Sequence, residues 1–276
     1  YQEISLSSLS SGDYSCISEL VQELNTALSK KRVASSLPSL RIDSFDESFI
    51  SDEMRRSSLT FAPEAGSQRL RNVINKNVTE EDLLRTISKV FAAGYTTVKL
   101  YFMLGLPTET LEDVKGIADL AAKCVDIFKE QNNGNIRRLK IVVSTSFFVP
   151  KPFTPFQWCP QESWESLEEK RSYLAGMLKR IRGVEYRWHE NRMGFVEAAL
   201  ARGDRRVGEV LYKMWQKGAR FDSWNDNFSY NQWQDAFEEA GLDINFYTTR
   251  QRSVDEVLPW DVVDIGVSKS YFKREY

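Results

Sequence analysis

The sequence predicts an α/β fold: an open or partly closed (β/α) barrel of parallel strands, followed by a mainly helical C-terminal extension. Three observations lead there. Strand-like and helix-like runs alternate, with five strand–helix units before residue 183, and such alternation means parallel pairing through right-handed crossovers. Small, polar or charged residues stand at the strand ends, where (β/α) folds gather ligands. After the proline-rich VPKPFTPFQWCP (149–160) the alternation gives way to a charged amphipathic helix and shorter elements. The barrel is therefore expected over residues 1–160, and an extension of helices plus short strands over 161–276.

The elements follow in order. Residues 2–9 read as a strand, and 14–30 as a helix with apolar positions Ile17, Leu20, Val21, Leu24 and Leu28. A second strand is expected at 38–45, then a helix over 46–56. A third strand spans 58–64, with helices over 67–75 and 80–93. Thr79 with Asp82 resembles a capping box at the start of the latter helix, and Gly94 suits its end. Thr96–Leu106 is a strand too continuously apolar at its end to face water on one side, followed by a helix over 110–131 and a strand at 139–149. Residues 163–183 form a helix and 184–190 an extended segment. Residues 193–241 read as short helices carrying Trp215, Trp224 and Trp233, and the tail shows no clear periodicity.

Composition narrows the function classes. With 276 residues, 42% hydrophobic and 28% charged, the chain is of ordinary enzyme composition. A net charge of −2 argues against coating nucleic acid by bulk electrostatics, although a local basic patch is compatible with it. No run approaches a membrane span, and the three cysteines are too scattered for a disulfide framework, so the expectation is a cytoplasmic protein with no membrane partner. The opening YQEISLSSL resembles a strand interior and lacks an initiator Met, which leads to the expectation of a piece of a longer protein.

Each candidate motif also has a plain alternative. Glu64, at a strand's C-terminal end, suits an ammonium or ribose hydroxyls, and Lys76, one short helix later, suits a carboxylate. Gly66 lets the backbone approach a ligand, and the following helix start favours negative charge. The same spacing also suits Glu64 as a helix cap with Lys76 solvated. Ser11-Gly12-Asp13 could cradle a polar ligand with its backbone or form a βα turn capped by Asp13. Gly105 leaves room for a flat ring or simply punctuates a strand end. Arg41, inside an apolar strand, calls for a partner or ligand. Arg202, Arg205 and Arg206, clustered around Gly203-Asp204, suit a phosphate or nucleic-acid backbone, or an inter-helix turn with local acids. Metal sites fail on residue count: His189 is the only histidine, and Cys16, Cys124 and Cys159 are far apart.

Taken in this order, the segments resemble a radical S-adenosylmethionine (SAM) enzyme. PEAGSQRLRNVINKNVTEEDLL matches that superfamily's fourth strand and the helix after it, and GLPTET matches the end of its fifth. The resemblance implies a partial TIM-like barrel of that type, with strands two to six. It also implies SAM contacts through Ser11, Gly12 and Asp13 (in place of the usual two glycines), Arg41, Glu64, Lys76, Gly105, Phe147 and Phe148. Tyr101 stands where some relatives have a ribose-binding Asp. PKPFTPFQW, EAALARGDRRVGEVL, GARFDSW and LPWDVVDIGVSK are similar to cobalamin-domain-associated members labelled Fe–S oxidoreductases, which implies a cobalamin domain in the parent. The CxxxCxxC loop that holds a 4Fe–4S cluster is absent from these residues. The resemblance thus implies a parent enzyme that cleaves SAM to a 5′-deoxyadenosyl radical on an unknown substrate, and a fragment inactive alone. A competing expectation is an RNA- or ribosome-facing module using Arg202, Arg205, Arg206 and the aromatic tail.

Overall fold

The computed structural model describes residues 3–6, 14–31, 33–36, 42, 58–188 and 192–276. The chain divides into two compact units: Tyr1–Leu104, Thr108–Ser146 and Lys170–Trp188 form the first, and Gly105–Pro107, Phe147–Glu169 and His189–Tyr276 the second.

The first unit is α/β. Strands β1 (Glu3–Ser5) and β2 (Ala34–Ser36) flank helix α1 (Ile17–Ser29) and pair in parallel as a two-stranded sheet. Strands β3 (Leu59–Glu64), β4 (Thr97–Leu104), β5 (Lys140–Phe147) and β6 (Val184–Trp188) form a second, four-stranded parallel sheet in that order. This sheet is open, and helices supply the crossovers: α2 (Gln68–Val73) and α3 (Glu80–Ala92) after β3, α4 (Leu111–Gln131) after β4, and α5 (Trp164–Leu178) after β5. The partial barrel expected from the sequence is thus present.

Local chemistry explains these boundaries. Thr79 and Asp82 form the expected capping box at the start of α3, and Thr110 and Asp113 form a second one at the start of α4. Gly94, at φ 88°, ends α3 in the left-handed region. Strand and helix faces then bury Phe61, Ile87, Val90, Leu100, Leu104, Ile141 and Val143 almost completely, each worth about 1.5–3 kcal/mol against exposure. Phe91 of α3 meets Phe128 of α4 edge-on at 5.0 Å.

The second unit is mainly helical: α6 (Met193–Arg202), α7 (Val207–Gln216), α8 (Tyr230–Glu239), the single turn α9 (Ile244–Tyr247) and α10 (Lys269–Glu275). Val196, Val210, Met214, Trp233, Phe237 and Tyr247 form its core. Of the three tryptophans singled out in the sequence, only Trp233 is buried, while Trp215 and Trp224 are exposed. A second cluster joins Trp158, Leu258, Trp260 and Phe272.

Among the described residues of the first expected strand, Glu3–Ser5 are extended as β1, and a strand that the sequence did not suggest, β2, occupies Ala34–Ser36. Of the strand expected at 38–45 and the helix expected over 46–56, only Ile42 lies among the described residues; it is buried, and its carbonyl accepts from the Thr86 hydroxyl at 3.1 Å. No helix among the described residues is long and apolar enough to cross a membrane.

Candidate functional site

The site is built where β3 ends. Phe61 pairs with Leu100 and Glu64 with Phe102, so three residues of β3 advance against two of β4. Pro63 sits in this bulge, where its missing N–H removes no ladder bond. Glu64 then adopts φ 69°, a left-handed conformation that costs a non-glycine residue about 1–2 kcal/mol. Strained residues of this kind cluster at ligand clamps and switch regions.

The turn beyond it is held on both sides. A Cβ on Gly66 would lie 2.3 Å from the Asp113 carbonyl oxygen and 2.5 Å from the Ile117 amide of α4, while Gly116 faces Gly66 from the helix side. The close approach expected at Gly66 is therefore to α4, with no room left for a ligand on that face. Ser67 caps α2 by accepting from the Leu70 amide at 3.1 Å, so Glu64 is not the cap. At six residues α2 is too short for its N-terminus to matter as a charge, which corrects that part of the sequence expectation.

Helix α2 ends in a Schellman motif. Asn75 takes the left-handed position at φ 53°, the Asn75 amide donates to the Asn72 carbonyl at 3.1 Å, and the Lys76 amide donates to the Arg71 carbonyl at 2.8 Å. Asparagine tolerates this conformation better than most residues, which explains the Asn before Lys76. The Lys76 Nζ then comes to 3.4 Å from Glu64 Oε1, with about a third of each side chain exposed (34% and 28%). An opposite-charge pair open to solvent can exchange its partners for the two ends of a zwitterion.

Two arginines and an aspartate brace this arrangement. Arg71, 1% exposed, donates from Nη1 to the carbonyls of Ala65 (2.9 Å) and Gly66 (3.3 Å), and from Nη2 to Gln68 Oε1 (3.1 Å). Burial lowers its guanidinium from the ordinary arginine value, with the charge of Glu80 opposing that. Arg69 reaches the loop after β4, donating to the carbonyl of Thr108 at 2.8 Å and to its hydroxyl at 3.2 Å. It also pairs with Asp113, which accepts from Ser67 Oγ and from the Thr110 amide (2.8 Å) and hydroxyl (2.7 Å). Burial alone would raise the Asp113 carboxyl, but donation by Arg69, Ser67 and Thr110 holds it well below the usual carboxylate range.

The other expected contacts belong to the second unit or lie outside the described residues. Gly105 follows the last residue of β4 at φ 83°, and a Cβ there would lie 2.6 Å from Leu167 Cδ2. Phe147 ends β5 and meets Trp164 edge-on at 5.9 Å; Phe148 meets Phe156 likewise at 5.9 Å. Tyr101 is exposed. Ser11, Gly12, Asp13 and Arg41 lie outside the described residues, as does His189.

The expected basic cluster is corrected. Arg202 is fully buried, donating to the carbonyls of Thr248 (3.0 Å), Gln157 (3.4 Å) and Cys159 (2.8 Å). Burial, reinforced by the charge of Arg252, pushes its guanidinium down to about 9. Arg206 is committed to Asp204, with Nη2 2.7 Å from Oδ2, and Arg205 is exposed. The three side chains do not make one phosphate-gripping patch.

Sequence reasoning missed Arg71, Arg69 and Asp113. A signal existed for Asp113, three residues after Thr110 in capping-box spacing; Arg71 looked like any charged residue in a helical run.

The fit of the family's prosthetic groups is uneven. The paired carboxylate and ammonium suit an amino-acid end, whereas cysteines at 16, 124 and 159 do not have the spacing that holds a 4Fe–4S cluster. An uncharacterized protein of Methanocaldococcus jannaschii is 34% identical over 209 residues, which is 76% of this chain and 43% of that protein, so the chain spans less than half of that relative's length. Residues 3–121, which include β3, the Glu64–Lys76 pair and the start of α4, match the radical SAM superfamily. Residues 3–121 are thus a radical SAM superfamily domain.

Proposed function

We propose that the chain is the SAM-binding part of a radical SAM enzyme, with Glu64 taking the ammonium or ribose hydroxyls of SAM and Lys76 its carboxylate. The observation that carries this is the solvent-open Glu64–Lys76 pair at 3.4 Å, set at a strand's C-terminal end by two left-handed residues. Such an exchange would conserve one ammonium–carboxylate contact at each side chain. The family resemblance further assigns Gly105, Phe147 and Phe148 to the adenine, the Ser11–Asp13 loop to the methionine amino group, and Arg41 to another polar contact with SAM.

In a longer parent protein, a 4Fe–4S cluster would supply the electron for reductive cleavage of SAM held by these residues. The residues of this chain bind and orient; they do not reduce. The chain alone is therefore proposed to hold SAM without cleaving it, the cluster being held by residues of the longer parent protein.

Isothermal titration of SAM and S-adenosylhomocysteine into the chain tests the assignment, beside the double variant Glu64→Ala plus Lys76→Ala. Binding to the chain that the double variant loses supports it. Equal binding by both removes the assignment.

A further inference from the structure

Resting on the ligand class proposed above, we propose that Arg71 is the positioning residue of this site, a single buried side chain that sets both members of the Glu64–Lys76 pair. Its guanidinium donates to the carbonyls of Ala65 and Gly66, the two peptide units that follow Glu64. Its own carbonyl receives the Lys76 amide at 2.8 Å. The side chain thus fixes the turn that keeps Glu64 at φ 69°, and the backbone of the same residue fixes where Lys76 leaves the helix.

The chemistry of this clamp is unusual for a mere filler. Arg71 is 1% exposed and its partners are carbonyls and one amide oxygen, with no carboxylate bonded to it. A buried guanidinium with no carboxylate bonded to it is a costly way to satisfy two turn carbonyls. The guanidinium offers a fixed plane of donors: Nη1 holds both consecutive carbonyls while Nη2, in the same plane, is anchored on Gln68 Oε1. A lysine there has three donors on one freely rotating nitrogen and no second nitrogen to anchor on Gln68.

The site therefore depends on Arg71 for geometry, although Arg71 touches no ligand. The variants Arg71→Gln and Arg71→Lys, with Ile87→Ala in α3 as a control for lost stability remote from the turn, separate positioning from simple packing. The probes are S-adenosylhomocysteine and 5′-methylthioadenosine, which lacks the amino-acid end. In Arg71→Gln the affinity for S-adenosylhomocysteine is expected to fall about tenfold, as when a group that orients a ligand contact is lost. Its preference over 5′-methylthioadenosine is expected to shrink with it. Millimolar guanidinium should restore part of both, and Ile87→Ala should leave the preference unchanged at comparable thermal stability. Unchanged affinity in a folded Arg71→Gln or Arg71→Lys, or the same loss of preference in Ile87→Ala, overturns the proposal.

Should the unaltered chain bind neither probe, the ligand assignment fails, and the clamp is then judged by the crystal structure of Arg71→Lys. Glu64 leaving positive φ and parting from Lys76 supports it; Glu64 unmoved overturns it.

Discussion

The Lys76 ammonium lies 3.4 Å from the Glu64 carboxylate, across twelve positions of chain and a complete short helix. The pair spans a strand end and a helix end, each marked by a left-handed residue, Glu64 itself and Asn75. Glu64 is also the last residue of β3 in register with β4, opposite Phe102 and just past the bulge.

Replacing Glu64 by glycine separates strain from function. Glycine adopts φ near 69° without penalty, so Glu64→Gly should relieve about 1 kcal/mol of backbone strain while removing the carboxylate. The exposed ion pair that is lost offsets this by less than about 1 kcal/mol. Thermal unfolding should therefore show a variant at least as stable as the parent, and calorimetry one that no longer binds S-adenosylhomocysteine. A large fall in melting temperature would contradict the strain.

Asp113 makes stability pH-dependent in a fixed direction. Its folded carboxyl is held below the usual range, so it stabilises the fold fully above the unfolded value of about pH 4, and the contribution fades as pH falls toward the folded value. Asp113→Asn should cost about 2 kcal/mol at neutral pH, since charge-assisted bonds from Arg69, Ser67 and Thr110 are weakened together. Urea unfolding of both proteins between pH 7 and pH 3, about the carboxylate range, should show the gap narrow only below about pH 4. A gap that widens on acidification would reverse the assignment.

Much of this architecture is legible in the residues alone, and the exceptions have physical causes. Strands β3, β4 and β5 and helices α3 and α4 lie within about two residues of the sequence expectation, because periodicity, Thr caps and Gly94 agree there. The turn α9 and helix α10 are too short, at four and seven residues, for a helical period to register. Glu64 and Lys76 could be singled out because they stand at element ends. Arg71 and Arg202 could not, since each owes its burial to carbonyls brought in by the turn after β3 or by segments more than forty positions away. A charged side chain inside a polar-looking run carries no local mark of the carbonyls it will meet.

The thiols should differ sharply in reactivity. Cys16 is exposed, whereas burial pushes Cys124 up to about 12 and raises Cys159, with the Tyr276 hydroxyl and the charge of Arg202 only partly opposing the latter. A disulfide reagent at mild alkaline pH should modify one thiol quickly in the folded chain and all three after denaturation. Rapid modification of Cys124 would mean that α4 opens in the native state.

The bare contact between Gly66 and Gly116 has a mechanical consequence. Where backbone rests directly on backbone, no rotamer change is available to absorb a displacement, because neither residue has a side chain to turn. Helix α4 therefore cannot slide along its axis without dragging the peptide units beside Glu64. Whatever nudges that helix from its far end would be felt as a change in aim of the carboxylate, transmitted stiffly, as through a shaft without a joint.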